Sequence, residues 1–484
     1  MLFNSITVLG ASLAVIAAET IHGVALVNRH GDRTTKHYST QQLTNLGYRQ
    51  SFDAGSFFRS VYVTDGAPKK ILGISSDVYN YTQLFATAPD QQILMKTTTA
   101  FLQGIYPPLS DINALSLSVE TLNNGSSYTT ADNGFQYIFL RGRQANSPDA
   151  MWIKGDEECP AFTTASATFK QTPQYLDLLG DTTPFYAQFW SILQNVYDYT
   201  QKNLTYANAF DIFDLINVAL VHNRTVTANV TSDQILQLRA LADSAEFSFN
   251  FNASQPDRNI GGRALAGAVY MQLNQTLSSK GALKFSVFTP SYNNILSLFG
   301  LTNLTTASTD FYGLPPYAST LAFELFTPTT MSSFPTNLDD LSIRAVFRNG
   351  SDGAGAPLVA FPLFGRTSTS MSWNDFSAEM LKFSITSTSQ WCNTCNSTAT
   401  FCSSYMRNTA LATGTSAAST FGGGRLSNAV AGVIGAMVTF ALFLVAGLLF
   451  YLVQKSMANK NSAAASGSST WAAEKRPSLS STDV

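Results

Sequence analysis

A short basic motif directly after an apolar stretch constrains this chain more than any other feature. Residues 24–27 are typical of a buried strand, and Arg29-His30-Gly31-Asp32-Arg33 follows almost at once. The histidine can attack phosphorus, and each arginine can hold two phosphate oxygens. The glycine allows a close approach of the backbone. Because open α/β sheets bind ligands at the carboxyl ends of their strands, the spacing predicts a phosphate site there. The alternative is a plain polar turn.

The motif resembles the signature of the histidine acid phosphatases, which include fungal acid phosphatases and phytases. Three further stretches are similar to this family, namely residues 43–50, 99–108 and 315–325. The resemblance implies an α/β fold, a phosphoglycerate-mutase-like histidine phosphatase domain with an inserted and mostly helical cap. It also implies that His30 is the catalytic nucleophile, that Arg29 and Arg33 bind phosphate, and that Asp32 orients an arginine.

Two parts of the family's site are missing from this sequence. Counting back from Ala100, the position of the family's third phosphate-binding arginine holds Ile93. Thr289 and Pro290 replace the histidine–aspartate pair that protonates the leaving group, and no histidine lies after residue 222. A positioned acid contributes about 10²–10⁴-fold in rate, and one charge-stabilising donor about a hundredfold. We therefore expect weak or absent phosphomonoester hydrolysis, so that the chain is a slow acid phosphatase or a pseudoenzyme.

Two other functions are compatible with the sequence. An active acid phosphatase would form a phosphohistidine at His30 and take its proton donor from elsewhere in the chain. A cell-surface structural or interaction glycoprotein would keep the fold as a scaffold, although the intact Arg29, His30 and Arg33 favour an anion-binding role. The expected partners are phosphate or small phosphomonoesters and not nucleic acid, and no metal or cofactor is expected. His37 is interpreted as a solvated loop residue.

The two ends of the chain predict a membrane-anchored ectodomain. Residues 1–18 are uncharged and end in small residues, as in a secretory signal peptide; a buried N-terminal helix is the alternative. Residues 429–453 form an apolar run that exceeds the roughly 20 residues needed to span a bilayer. Lysines follow this run, in agreement with the positive-inside rule. The sequence thus predicts a single-pass type I membrane protein of the cell surface or secretory pathway, with one C-terminal transmembrane helix and a disordered cytosolic tail at 454–484.

The region between these segments has the composition of a glycosylated and oxidised ectodomain. Charged residues make up 12% of the chain, about half the usual share, and ten Asn-x-Ser/Thr sequons lie in this region. The sequons begin at Asn80, Asn124, Asn203, Asn223, Asn229, Asn252, Asn274, Asn303, Asn349 and Asn396. Cys159, Cys392, Cys395 and Cys402 predict two disulfides with three possible pairings. A zinc or redox site at Cys392-x-x-Cys395 is disfavoured, because no histidine or second Cys-x-x-Cys accompanies it.

Apolar periodicity divides the ectodomain into two regions. An α/β domain is expected from residues 19–110 and 260–392, with a helical cap at 111–259 and a Cys-containing, Ser/Thr/Gly-rich stalk at 393–428. The predicted strands are 22–28, 283–288, 318–326 and 341–347. The predicted helices are 39–61, 185–199, 208–222, 234–245 and 263–278.

Overall fold

An eight-stranded sheet organises the part of the chain that this computed structural model describes, namely residues 19–224, 229–351 and 356–405. The strands in chain order are β1 (Thr20–Asn28), β2 (Leu84–Pro89), β3 (Val119–Thr121), β4 (Ser127–Thr129), β5 (Arg141–Arg143), β6 (Phe285–Phe288), β7 (Thr320–Thr327), β8 (Ser342–Arg348), β9 (Val359–Phe361) and β10 (Ser370–Ser372). The order across the sheet is β10-β8-β7-β1-β6-β2-β5, and β9 pairs with β8. Strands β3 and β4 form a separate hairpin.

Strand β1 lies at the centre of the sheet because it is apolar on both faces. All nine of its residues are buried. It runs parallel to β6, with Val27 opposite Phe288, and antiparallel to β7. Strand β2 is parallel to β6 on its other side. The carboxyl ends of β1, β6 and β2 therefore meet at one edge of the sheet, where β7 begins.

Helices surround the sheet and build the inserted region. The helices within the described ranges are α1 (Asn45–Tyr62), α2 (Gln92–Ile105), α3 (Ala131–Gly134), α4 (Pro160–Ala167), α5 (Pro173–Asp181), α6 (Thr183–Ala187), α7 (Trp190–Leu193), α8 (Ala209–His222), α9 (Ser232–Asn250), α10 (Ile260–Ser278), α11 (Tyr292–Leu301), α12 (Trp373–Leu381) and α13 (Thr388–Cys395). Two of them, α1 and α2, pack closely against each other beside β1.

Most elements that the periodicity predicts are present. The four predicted strands correspond to β1, β6, β7 and β8, with ends that differ by at most two residues. The predicted helix 39–61 begins only at Asn45, because the Thr44 side chain accepts a hydrogen bond from the Gly47 amide at 3.1 Å and caps the helix there. The predicted helix 185–199 is wrong. The chain forms the short α6 and α7 instead, since Asn195, Tyr197 and Asp198 are poor helix formers.

The inserted region is less uniformly helical than its sequence suggests. Besides α4 to α9 it contains the β3–β4 hairpin, and β5 extends the main sheet beyond β2. Strand β5 is three residues long and reads Arg-Gly-Arg. Such a segment carries no apolar alternation, so the pattern gives no signal for it.

Two disulfides fasten the end of the described chain to the folded domain. Cys159 pairs with Cys395 and Cys392 pairs with Cys402, which confirms the prediction of two disulfides and fixes the pairing. The two cysteines of the Cys392-x-x-Cys395 segment therefore belong to different disulfides. All four are buried in a cluster with Trp391. The first residues of the predicted stalk are thus held by covalent bonds.

Among the described residues, no helix is both long and apolar enough to cross a membrane. The predicted signal peptide (1–18), the predicted span (429–453) and the predicted tail (454–484) lie outside the described residues.

Candidate active site

The basic motif forms a tight loop at the carboxyl end of β1. The Arg29 amide donates to the Ser319 carbonyl at 2.9 Å, and the Ala318 amide donates to the His30 carbonyl at 3.0 Å. Gly31 lies against the start of α1, and a Cβ atom on it would be only 2.2 Å from the Gly47 carbonyl oxygen. Glycine is therefore required here by a close approach of two backbones.

The His30 imidazole is buried in this loop, and a hydrogen bond fixes which of its ring nitrogens carries the proton. Its exposed fraction is 4%, and its ring packs 5.5 Å from the ring of Tyr317. Nδ1 lies 2.8 Å from the Gly31 carbonyl oxygen, and a carbonyl only accepts, so Nδ1 carries the proton. Burial, reinforced by Arg29 and Arg33, holds the pKa of His30 well below its ordinary value. The imidazole is therefore neutral in mild acid, and Nε2 keeps the lone pair that a nucleophile needs.

Arg29 is buried beside His30 between two aromatic rings. Its guanidinium carbon lies 4.7 Å from the ring centre of Tyr317 and 5.7 Å from that of Tyr292. One terminal nitrogen donates to the Pro315 carbonyl. Burial lowers the pKa of Arg29 to about 10, so the side chain stays charged. Its buried Nε–H has no acceptor among the described residues, and a buried donor of this kind fits an anion that the site would bind.

A carboxylate of the inserted region holds Arg33. Nη1 of Arg33 donates to Oδ2 of Asp214 at 3.0 Å, and Nη2 lies 3.0 Å from Oδ1. The same Oδ2 accepts from the Thr35 hydroxyl at 2.9 Å and from the Lys36 amide at 2.7 Å. Arg33 is fully buried and Asp214 nearly so. The carboxylate of α8 thus fixes both the guanidinium and the shape of the loop that follows it.

The expected role of Asp32 is wrong. Its carboxylate does not pair with an arginine in the described structure; it accepts from the Thr44 hydroxyl and lies 2.7 Å from Nε2 of His222. The interpretation of His37 also changes, because its Nδ1 lies 3.2 Å from Asp211 and its side chain is largely buried. Helix α8 therefore contacts the motif loop at three points, through Asp211, Asp214 and His222.

Three further side chains complete the site, and the sequence reasoning did not identify them. Lys36 places its ammonium group 4.3 Å from the ring centre of Tyr292. Burial and the nearby Arg33 lower the pKa of Lys36 to about 8, so it is a third positive charge in mild acid. The hydroxyl of Tyr292 donates to Oε2 of Glu246 at 2.8 Å.

The two positions that lack the expected residues lie on elements next to the motif. Ile93 is in the first turn of α2 and is 8% exposed. One turn later on the same helix, the Thr97 hydroxyl oxygen lies 3.4 Å from the Gly31 amide. Thr289 follows β6, is fully buried, and accepts a hydrogen bond from the Thr98 hydroxyl at 2.8 Å. Neither position offers a charge or a strong acid.

A cavity of about 690 Å³ lies between α9 and residues 309–316. Arg239 and Asp243 line it and pair with each other, with the Arg239 Nε at 2.8 Å from both carboxylate oxygens. Its wall includes Leu314 and Pro316, which flank the carbonyl that Arg29 contacts. The space is therefore adjacent to the motif and is large enough for the organic part of a small ester.

The described residues contain no group of three or more histidine, cysteine, aspartate or glutamate side chains that could hold a metal ion. The chemistry available at the loop is that of a neutral imidazole surrounded by cations. Arg29, Arg33 and Lys36 all act electrostatically on His30, and such a positive field around a nucleophile suits attack on a phosphomonoester.

Comparisons with solved structures identify the same fold. The phytase from Citrobacter braakii superposes with a TM-score of 0.51 at 14% identity, and covers 78% of this chain and 99% of that one. The Klebsiella sp. ASR1 phytase superposes with a TM-score of 0.50 at 12% identity, over 76% of this chain and 96% of that one. At these identities the likeness concerns the fold alone.

Sequence comparisons point to the same group of proteins. The lysosomal acid phosphatase of Xenopus laevis is 22% identical over an alignment of 373 residues, which covers 73% of this chain and 75% of the relative. The model of the histidine phosphatase superfamily (branch 2) matches residues 37–348, so the basic motif lies just before the matched range and at the sheet edge that this range builds. With more than half of its residues matched and the fold in agreement, the chain belongs to the histidine phosphatase superfamily, branch 2.

Proposed function

We propose that this protein is a membrane-anchored, histidine-acid-phosphatase-like glycoprotein that binds phosphate at Arg29, His30 and Arg33 and hydrolyses phosphomonoesters slowly. The observation that carries this proposal is the buried His30, whose Nδ1 lies 2.8 Å from a carbonyl oxygen and whose pKa is lowered by burial and by Arg29 and Arg33. The name of the lysosomal acid phosphatase relative supports the reaction class.

Slow turnover follows from the two substituted positions. Without an arginine at residue 93, the phosphate oxygens lose one bidentate pair of charge-assisted hydrogen bonds. Without an acid at residues 289–290, the leaving oxygen departs with less help. Together these losses correspond to about four to six orders of magnitude if the effects were additive, and less because such effects overlap. The expected enzyme is therefore slow but measurable.

Restoring the missing groups should increase activity. We expect the variant carrying Ile93→Arg, Thr289→His and Pro290→Asp to hydrolyse phosphomonoesters about a hundredfold faster than wild type, because it restores an arginine for the phosphate oxygens together with an acid at the family's position. The single Ile93→Arg should mainly tighten vanadate binding. Ile93 borders a cavity of about 400 Å³ with residues 39–41, which gives an arginine room. The measurement is steady-state hydrolysis across pH 3–7 with vanadate inhibition.

Ile93→Gln is the matched control, since it adds a polar side chain without charge and should leave vanadate binding unchanged. Thr289→His places a larger side chain in a fully buried position, so the thermal stability of each variant must be measured beside its rate. A folded triple variant with neither faster turnover nor tighter vanadate binding would show that these positions do not face His30. Wild-type turnover at the rate of complete family members would also contradict the proposal.

The proposed topology places the ectodomain outside the cytosol. The uncharged apolar residues 1–18, the apolar residues 429–453 and the ten sequons between them support it. We expect endoglycosidase to shift the gel mobility of the protein strongly. Protease added to intact cells, or to sealed inverted vesicles whose lumenal membrane face points outward, should remove the ectodomain while sparing the tail. An antibody to residues 470–484 provides the control. An unshifted band or a protease-sensitive tail would contradict the topology.

A further inference from the structure

One carboxyl group of the site, contributed by the inserted region, has no chemical role assigned to it so far. Glu246 is half-buried on α9, and its Oε2 accepts the hydroxyl of Tyr292 at 2.8 Å. Tyr292 begins α11, three residues after Thr289. The loop that lacks the expected acid therefore supplies the side chain that holds this carboxyl group.

Tyr292 is the common neighbour of Glu246 and of the cations that would bind phosphate. Its ring centre lies 4.3 Å from the Lys36 ammonium group and 5.7 Å from the Arg29 guanidinium carbon. The Glu246 carboxyl group is bonded to the hydroxyl of this ring and interacts with the charge of Lys36, so it lies next to the cation cluster.

The partner of Glu246 distinguishes it from the other carboxylates of the region. Asp214 is bound by Arg33, and Asp243 is bound by Arg239 and by the Leu314 amide at 2.8 Å. The hydrogen bond that the structure shows for the Glu246 carboxyl group comes from a neutral hydroxyl. A change of protonation at Glu246 therefore breaks no ion pair with an arginine.

Charges and burial around Glu246 favour its protonated form. Burial raises the pKa of Glu246. Tyr292 on α11 and Lys36 on the motif loop oppose this shift, whereas Asp243 on α9 and Asp214 on α8 reinforce it. The net direction is upward, so the group keeps its proton further into the mildly acidic range than an exposed glutamate.

We infer that Glu246 is the proton donor of this protein, in place of the histidine–aspartate pair. The inference rests on the proposed function. In the first step Nε2 of His30 forms a bond to phosphorus, the P–O ester bond breaks, and the leaving oxygen takes its electron pair and the proton of Glu246. In the second step water attacks phosphorus, the N–P bond breaks with its electrons returning to Nε2, and the Glu246 carboxylate takes the proton of that water.

The test compares two substrates that differ in their need for a proton. The leaving oxygen of 4-nitrophenyl phosphate is stable as an anion, whereas that of glycerol 2-phosphate must be protonated. Glu246→Gln keeps the shape and an acceptor for the Tyr292 hydroxyl but cannot donate an acid proton. We expect it to lower kcat/KM about a hundredfold for glycerol 2-phosphate and less than about threefold for 4-nitrophenyl phosphate.

Asp233→Asn is the matched control, since it makes the same chemical change in the exposed first turn of α9. It should leave both rates unchanged. If Glu246→Gln lowers kcat/KM equally for both substrates, or for neither, the assignment of Glu246 as proton donor is overturned while the proposed function stands. A wild-type protein whose turnover does not depend on His30 would overturn the proposed function, and the inference with it.

Stability provides a second measurement that does not need turnover. Since the pKa of Glu246 is raised above its ordinary value of 4.5 in the folded state, the folded protein binds this proton more tightly than the unfolded chain. The stability of wild type relative to Glu246→Gln should be constant well below pH 4.5 and should fall as the pH rises through the folded pKa. Urea unfolding at several pH values measures this difference, and a pH-independent difference would overturn the inference.

Discussion

Substitution of His30 by alanine should abolish phosphomonoester hydrolysis by this protein. Nε2 of His30 is the one strong nucleophile placed among Arg29, Arg33 and Lys36 in the described site, so its loss leaves only binding and charge stabilisation. We expect kcat to fall about 10³-fold or more. In wild type, quenching with SDS at alkaline pH during turnover of a ³²P-labelled ester should trap a phosphoprotein that is stable to alkali and labile to acid. The His30→Ala protein should carry no such label.

His22 provides the matched control for this experiment. It is also buried in β1, and its Nε2 contacts the Thr327 hydroxyl at 3.1 Å, away from the motif loop. His22→Asn should keep the activity per folded molecule and the phosphoprotein label. Activity that survives in purified His30→Ala would mean either a contaminating phosphatase or another nucleophile. Purification of both variants in parallel separates these two explanations.

Removal of the Asp214 carboxylate should have the largest effect on stability. The Arg33 guanidinium pairs with this carboxylate and is fully buried from water, so Asp214→Ala leaves an uncompensated charge in the interior. Breaking a buried pair in this way costs about 3–5 kcal/mol, and the hydrogen bonds of Thr35 and of the Lys36 amide are lost with it. Urea unfolding at neutral pH measures the change.

The neighbouring Asp211 shows how specific this effect is. It lies three residues earlier on α8 and contacts His37, but it is more exposed, so Asp211→Asn should cost no more than about 1 kcal/mol. Vanadate or phosphate should restore part of the lost stability in Asp214→Ala, because an oxyanion can take the place of the carboxylate on Arg33. A loss below about 1 kcal/mol in Asp214→Ala would contradict the central role of the pair.

The sequence predicts those parts of the site that depend on short-range order. Arg29, His30 and Arg33 are consecutive or nearly so, and a buried strand leads into them, so their proximity follows from the local chain. The same holds for the principal strands and for α8 to α10, whose apolar periodicity is regular. Gly31 and Gly47 also act locally, since they allow the motif loop to touch the start of α1.

The remaining parts of the site depend on how the inserted region packs, which a single sequence does not specify. Asp214 is 181 residues from Arg33 in the chain, and Glu246 reaches the site through Tyr292 on another helix. One signal was present: Asp211 and Asp214 are three residues apart in an otherwise apolar helix, so they lie on one face. The error about Asp32 has the same origin, because its partner His222 stands at the far end of that helix.

The Cys159–Cys395 disulfide can form only late in the synthesis of this protein. The two cysteines are 236 residues apart, and ribosomes add about 5–20 residues per second. The Cys159 thiol therefore waits about 10–50 s for its partner, whereas Cys392 and Cys402 emerge within about 2 s of each other. Cys392 is synthesised before Cys395, so the native pairing requires that Cys159 does not form a disulfide with Cys392, the first thiol to become available. A chain that terminates before residue 395 would leave the Cys159 thiol permanently without its native partner.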